Sequence, residues 1–158
     1  PAEYGELLVA HGGLPAGLWH RLGSPATPAA AADQLNRWVG TRPELAFAPG
    51  RRLSGHIGAP GPVWADPTVE VYPSWMGAGP APFGQVHGHL AAWDWGTERW
   101  PLDTPDEVCR LAIDLDPTAR HSTVHINGSP FIGIDPDHGT EPAATWHPLV
   151  LTRQGTQQ

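Results

Sequence analysis

The stretch that decides how this sequence is interpreted is Phe83-Gly84-Gln85-Val86-His87-Gly88-His89-Leu90. A short apolar run ends here in two histidines that are separated by one glycine. Residues i and i+2 of an extended chain point to the same face, so His87 and His89 are predicted to reach one site. Imidazole binds divalent metals such as zinc and iron well, and the glycine lets the backbone approach closely. The pair alone is equally compatible with a surface loop.

Another histidine has a similar setting near the start of the chain. Residues 6–10 read as a short buried strand, and His11-Gly12-Gly13-Leu14 follows them directly. Two histidine-bearing strand ends, far apart in sequence, are what a hydrolytic metal site built across a sheet requires. We therefore expect His11 to lie near the histidine pair, at the carboxyl ends of neighbouring strands.

Composition limits the classes of protein to which the chain can belong. Its 158 residues fit one domain, and a net charge of −7 without a basic stripe excludes nucleic acid as a partner. No window approaches the roughly 20 apolar residues of a membrane span, and no secretory signal is visible. The single cysteine, Cys109, excludes an internal disulfide and a cysteine-based zinc site, and it favours a cytoplasmic protein. Because Pro1 directly precedes a strand-like run, we expect the chain to be cut from something longer.

The pattern of elements predicts mostly strands with one clear helix, in a domain of residues 1–152 with a disordered tail at 153–158. Thr27 can cap the helix, Pro28 suits its first turn, and Gly40 stands just past its end. Asn127-Gly128 predicts a hairpin between residues 122–126 and 131–135. Residues 42–82 are rich in Pro and Gly and are predicted to form a long loop, and residues 146–151 a last strand.

Three motifs together resemble those of the calcineurin-like metallophosphoesterases, especially the bacterial branch that contains serine/threonine protein phosphatases. His11-Gly12-Gly13-Leu14 resembles the late histidine motif of the family. Residues 61–65, Gly-Pro-Val-Trp-Ala, are similar to the GPLWxR segment of bacterial members, with Asp66 where an Arg is expected. Val86-His87-Gly88-His89 resembles the final G-H-x-H motif. The three motifs occur in the family's order, and the resemblance covers nearly the whole chain.

The resemblance implies a fold of the α+β or α/β class, a four-layer αββα sandwich with two divalent metal ions (Mn, Fe or Zn) at the strand ends. It implies His11, His87 and His89 as metal ligands. An H-x-H register includes His87, whereas a register that begins at Gly88 leaves Ala91 where a second histidine belongs. His89 is a ligand in both. A hydroxide between the metals would attack a phosphorylated substrate, either a phosphoprotein or a small phosphoester.

The family's upstream ligand motifs are not found in this sequence. These are Asp-x-His, Gly-Asp-x-x-Asp-Arg and Gly-Asn-His-Asp/Glu. Two or three histidines without a bridging carboxylate cannot hold a metal pair tightly. The chain is therefore expected to be the C-terminal half of a metallophosphoesterase, or a degenerate relative, with no turnover of its own.

Other residues and other functions also fit the sequence. Arg51 and Arg52 could bind phosphate in a bidentate manner, although solvated loop arginines are common, and His56 could line the same pocket. The eight tryptophans allow a non-catalytic module that grips a ligand such as a carbohydrate. A third possibility is a mononuclear hydrolase in which His11, His87 and His89 form a three-histidine site.

Overall fold

The structure is a computed structural model that describes residues 5–55, 59–137 and 145–151. Over these residues the chain forms a mixed α/β domain with one five-stranded sheet. The strands are β1 (Leu7–Val9), β2 (Gly84–His87), β3 (Ile113–Asp116), β4 (His121–Ile126) and β5 (Ser129–Gly133). The helices are α1 (Ala16–Arg21), α2 (Pro28–Thr41), α3 (Pro43–Ala46), α4 (Arg51–Ser54), α5 (Tyr72–Ala78) and α6 (Asp106–Cys109), and a π-helix (Pro67–Val71) leads directly into α5.

The sheet is parallel on one side and antiparallel on the other. Its strand order is β1-β2-β5-β4-β3; β1 and β5 pair with β2 in parallel, whereas β4 pairs with β5 and β3 in antiparallel fashion. The carboxyl ends of β1, β2 and β5 therefore meet at one edge of the sheet. Because ligands of open α/β sheets bind outside the carboxyl ends of the strands, a ligand-binding site is expected at this edge.

The predictions of the hairpin and of the long helix are confirmed. Asn127 and Gly128 have φ angles of 51° and 90°, the positive values that a tight two-residue hairpin turn requires. Thr27 accepts a hydrogen bond from the Ala30 amide and so caps α2, with Pro28 in its first turn. The helix runs to Thr41, two residues further than expected, so Gly40 lies inside it.

The expectation of mostly strands with one clear helix is wrong. Residues 42–82 contain α3, α4, the π-helix and α5 rather than a long loop. Their prolines, Pro43, Pro67 and Pro73, stand in the first turns of helices, where a missing N–H leaves no hydrogen bond unmade. The predicted last strand at 146–151 is also wrong, since residues 145–151 carry no regular secondary structure. Pro148 lies in the middle of that segment and cannot donate to a strand ladder.

Helices α1, α2 and α5 cover one face of the sheet. One apolar cluster joins α5 to β4 and β5 through Tyr72, Trp75 and Phe131, and a second joins α1 and α2 to Leu8 of β1. Of the eight tryptophans, only Trp146 is largely exposed, at 48%. This distribution matches core packing and offers no row of exposed rings of the kind that a carbohydrate-binding surface needs.

The other face of the sheet is apolar; it is buried at Val86 and Ile132 and exposed at the β1 edge. Val9, Val86 and Ile132 share that face because they are paired across β1, β2 and β5. Val9 is 64% exposed. A cleft of about 450 Å³ lies there, lined by Val9, Ala10, His11, Val86, His87, Gly88, Ile134, Pro136 and Trp146. In the described ranges, no helix has the length and apolar character needed to cross a membrane.

Candidate functional site

The loops that follow β1 and β2 bring His11 and His89 together. The two imidazole centroids are 4.9 Å apart, with the ring planes inclined at 43°. The parallel pairing continues beyond the strands, because the Ala10 amide donates to the Val86 carbonyl and the Gly88 amide donates to the His11 carbonyl. The expected proximity of His11 and His89 at the carboxyl ends of neighbouring strands is confirmed.

Trp64 adds a third ring beside the two histidines. Its indole centroid is 5.1 Å from that of His89 and 6.3 Å from that of His11, at interplanar angles of 78° and 86°. We call His11, Trp64 and His89 the three-ring cluster. An edge-to-face arrangement of this kind is a favourable geometry for aromatic rings.

The backbone beside the three-ring cluster is closely packed. The Gly12 amide donates to the Pro62 carbonyl at 2.7 Å. A Cβ atom at Gly12 would lie 2.7 Å from both the nitrogen and the oxygen of Ala65, so only glycine fits there. The glycine after His11 therefore serves close packing against the segment that carries Trp64.

The structure leaves His87 apart from the three-ring cluster. Its side chain is 1% exposed, and its Nε2 is hydrogen-bonded to the Tyr72 hydroxyl at 2.8 Å. Burial lowers the pKa of His87 to about 4 and raises the pKa of Tyr72, so both groups are neutral at pH 7. The alternation that should place His87 and His89 on one face stops where β2 ends, at His87, and Gly88 then redirects the chain.

Arg52, a predicted substrate-binding residue, pairs with two carboxylates. Its Nε donates to Asp66, and its Nη2 donates to Asp103 at 3.1 Å. Asp66 is buried and caps the π-helix, because its Oδ1 accepts from the amides of Thr68 and Val69. The Arg52 side chain remains 41% exposed, so part of it is accessible to solvent.

Arg51, also predicted to bind substrate, is exposed, and its backbone amide donates to Glu70 Oε1 at 2.8 Å. Glu70 Oε2 accepts from the Asp66 amide, also at 2.8 Å. Burial raises the pKa of Glu70, while the two amides act in the opposite direction. Glu70 therefore links α4 to the segment that contains Trp64 and Asp66. His56, the third predicted substrate-binding residue, lies outside the described residues.

The electrostatic surroundings of His89 favour its neutral form. Burial lowers the pKa of His89 first, and the neighbouring His11 lowers it further, whereas Asp135 and Asp66 act in the opposite direction. Neutral imidazole is the form that binds metal ions. Asp135 follows β5 at the same edge of the sheet and was not predicted as a site residue. Its position after a parallel strand is the signal that could have identified it.

The two imidazoles do not by themselves form a metal site. In the portions of the chain that the structure describes, no three or more His, Cys, Asp or Glu side chains are grouped to hold a metal ion. Two imidazoles leave at least two positions of a tetrahedral ion to be filled by other ligands. A carboxylate would also be needed to offset the ion's charge.

Comparisons with protein-family models, with curated proteins and with solved structures find no match to this chain. Its function must therefore be inferred from its own residues.

Proposed function

We propose that this chain contributes His11 and His89 to a two-metal phosphoesterase centre that hydrolyses a phosphorylated substrate, either a phosphoprotein or a small phosphoester. The observation that carries the proposal is the 4.9 Å separation of the two imidazoles at the ends of adjacent parallel strands. Ligand nitrogens lie at about 2.0–2.1 Å from zinc, so two rings this close can share one ion after small rotations.

The donors suit Mn, Fe or Zn, because imidazole binds each of these ions. When bound, such ions activate water and stabilise charge on phosphoryl oxygens. The chain's own part is to hold two imidazoles at fixed spacing. The core position of His87 favours the register in which His89 alone is the late ligand, and it speaks against a three-histidine mononuclear site.

The surroundings of the histidines are compatible with the same proposal. A sheet with helices on one face and apolar residues on the other is compatible with one half of a four-layer αββα sandwich; of the three valine and isoleucine residues on the second face, Val86 and Ile132 are already buried, and Val9 is the one that a second sheet would cover. We expect the exposed part of the Arg52 side chain to contact a phosphate, together with the neighbouring Arg51. A cytoplasmic location remains part of the proposal.

The experiment that tests the proposal is titration of the metal-free chain with Zn²⁺ by isothermal calorimetry. We expect binding that is lost in His11→Ala and in His89→Ala. His87→Ala should leave the site ligands in place, and the matched control is His125→Ala, whose histidine is exposed on β4. Equal Zn²⁺ binding by the wild-type chain and His89→Ala would refute the central claim.

Activity is expected only from a protein that supplies the carboxylate-containing ligand motifs as well as His11 and His89. There, His89→Ala should abolish metal-dependent hydrolysis of an aryl phosphate, because a two-metal centre that loses one ion loses most of its rate. His125→Ala should leave hydrolysis unchanged.

A further inference from the structure

The indole of Trp64 contacts both imidazoles of the candidate site, edge-to-face with each. We propose that Trp64 is a positioning residue that fixes the relative orientation of His11 and His89 before any ligand binds. The consequence for metal affinity rests on the proposed function, whereas the consequence for the two rings does not.

The two histidines need such support because neither is held by the core. His11 is exposed and His89 is only half-buried, and both stand on loops beyond the ends of their strands. Imidazoles in such positions can rotate about their χ angles. The indole restricts that rotation because it lies against both rings at once.

Trp64 can act in this way because its own backbone is fixed. Its amide donates to the Gly61 carbonyl at 3.2 Å, and its carbonyl lies so close to Gly50 that a Cβ atom at position 50 would collide with it. Gly12 allows the same segment to touch the loop of His11. The indole is therefore presented from a segment that packs against the loop carrying one of the histidines.

Packing of the core does not account for this tryptophan. Trp64 is half-buried and belongs to neither of the two apolar clusters that join the helices to the sheet. Its ring contacts are made to His11 and His89. Orientation of these two side chains accounts for the position of the indole, whereas packing in the apolar clusters does not.

The first test needs no metal. In the wild-type chain, nuclear Overhauser effects should connect the imidazole protons of His11 and His89, whose centroids are 4.9 Å apart. Trp64→Leu should weaken these signals, whereas Trp64→Phe, which keeps an aromatic ring, should retain them. The matched control is Trp93→Leu, because Trp93 is also half-buried and also lies edge-to-face with another ring, that of Trp100 at 5.8 Å.

The second test is the Zn²⁺ affinity of the same variants. We expect Trp64→Leu to bind Zn²⁺ about 10- to 100-fold more weakly, the range typical of residues that orient metal ligands, with rescue in Trp64→Phe. The thermal midpoint of Trp64→Leu should fall no further than that of Trp93→Leu. If Trp64→Leu does not fold, Trp64→Met, with a flexible apolar side chain, carries the same expectations.

The outcomes separate the positioning role from the proposed function. Unchanged imidazole signals in Trp64→Leu would overturn the positioning role even if Zn²⁺ binding depends on both histidines. Loss of the signals in a chain that binds no Zn²⁺ would support the positioning role and count against the metal centre. Equal loss of the signals in Trp93→Leu would mean that the loss in Trp64→Leu comes from general destabilisation. This outcome would also overturn the inference.

Discussion

A neutral histidine in the core makes stability depend on pH at the scale of one residue. The pKa of His87 is about 4 in the folded chain because the side chain is buried, against about 6.5 when it is exposed in the unfolded chain. Between pH 4 and pH 6.5, His87 is protonated in the unfolded chain but neutral in the folded chain. The contribution of His87 to stability is therefore complete above pH 6.5 and is lost as the pH falls toward 4, by up to about 1.4 kcal/mol per pH unit.

Urea denaturation of the metal-free chain at pH 7.5, 5.5 and 4.5 measures this dependence. His87→Gln should show a smaller fall in the free energy of unfolding across the series than the wild-type chain. His125→Gln, which changes an exposed histidine on β4, should reproduce the wild-type slope. Parallel slopes for His87→Gln and the wild-type chain would contradict the assignment of a neutral core histidine.

The glycine after His11 gives a second prediction at this scale. A methyl group at Gly12 would meet main-chain atoms of Ala65 at 2.7 Å, and main-chain atoms cannot rotate away. We expect Gly12→Ala to lower the free energy of unfolding by about 1–3 kcal/mol. Gly17 is the control, because it lies in α1 with nothing within 4 Å of an added Cβ, and Gly17→Ala should stabilise the helix by about 0.5–1 kcal/mol. Chemical denaturation compares the two, and equal effects would contradict the close packing of the Gly12 loop.

At the scale of elements, Asp66 holds together the start of the π-helix. Its carboxylate accepts from two backbone amides and from the Thr68 hydroxyl, and it pairs with Arg52. We expect Asp66→Ala to cost about 2–3 kcal/mol, since a helix cap is lost and buried donors are left without a partner. Asp116→Ala removes a similar cap, from the amides of Thr118 and Ala119, on an exposed turn, and it should cost much less. A comparable loss of stability in the two variants, measured by denaturation, would contradict a buried structural role for Asp66.

Elements with strong local signals could be predicted from the sequence. The Asn-Gly turn and the capped start of α2 depend on a few adjacent residues, and both are found as expected. The helices in residues 42–82 were not predicted because a stretch rich in Pro and Gly favours a loop, although a first-turn proline does not break a helix. Strand β3 was missed, although Ile113 and Leu115 alternate with aspartates in the period of a strand.

The candidate site could be predicted only in part for a similar reason. The pairing of His11 with His89 follows from two strand ends at one edge of a parallel sheet, which a sequence pattern can indicate. The separation of His87 from His11 and His89 depends on the exact residue at which β2 ends. It also depends on the hydrogen bond between His87 and the Tyr72 hydroxyl. Such a boundary is fixed by tertiary packing, and the spacing of histidines in the sequence does not indicate it. The ring contacts of Trp64 depend on the same packing.

At the scale of the whole molecule, the face of the sheet opposite the helices is buried at Val86 and Ile132 but exposed at Val9 of β1, which is an edge strand. Val9 is 64% exposed at that edge, beside the apolar cleft. Exposed apolar residues on an edge strand promote association, so we expect the isolated chain to self-associate as its concentration rises. Sedimentation velocity should show this association, and Val9→Lys should weaken it.

Leu102→Lys is the matched control for that experiment. Leu102 is 86% exposed but lies on a loop outside the sheet. The same charge placed there should change self-association much less than Val9→Lys does. A monomeric wild-type chain at all concentrations would show that the exposed part of β1 needs no partner.

The turn at Asn127-Gly128 also has a consequence for the durability of the protein. The Asn127 side-chain amide donates to the Trp75 carbonyl at 3.0 Å and so ties the hairpin to α5. Asparagine is a thermolabile residue, and a following glycine leaves its side chain open to attack by the next backbone nitrogen. Deamidation would replace the donor with a carboxylate that repels the Trp75 carbonyl, so prolonged storage should loosen the hairpin from the helix at this point first.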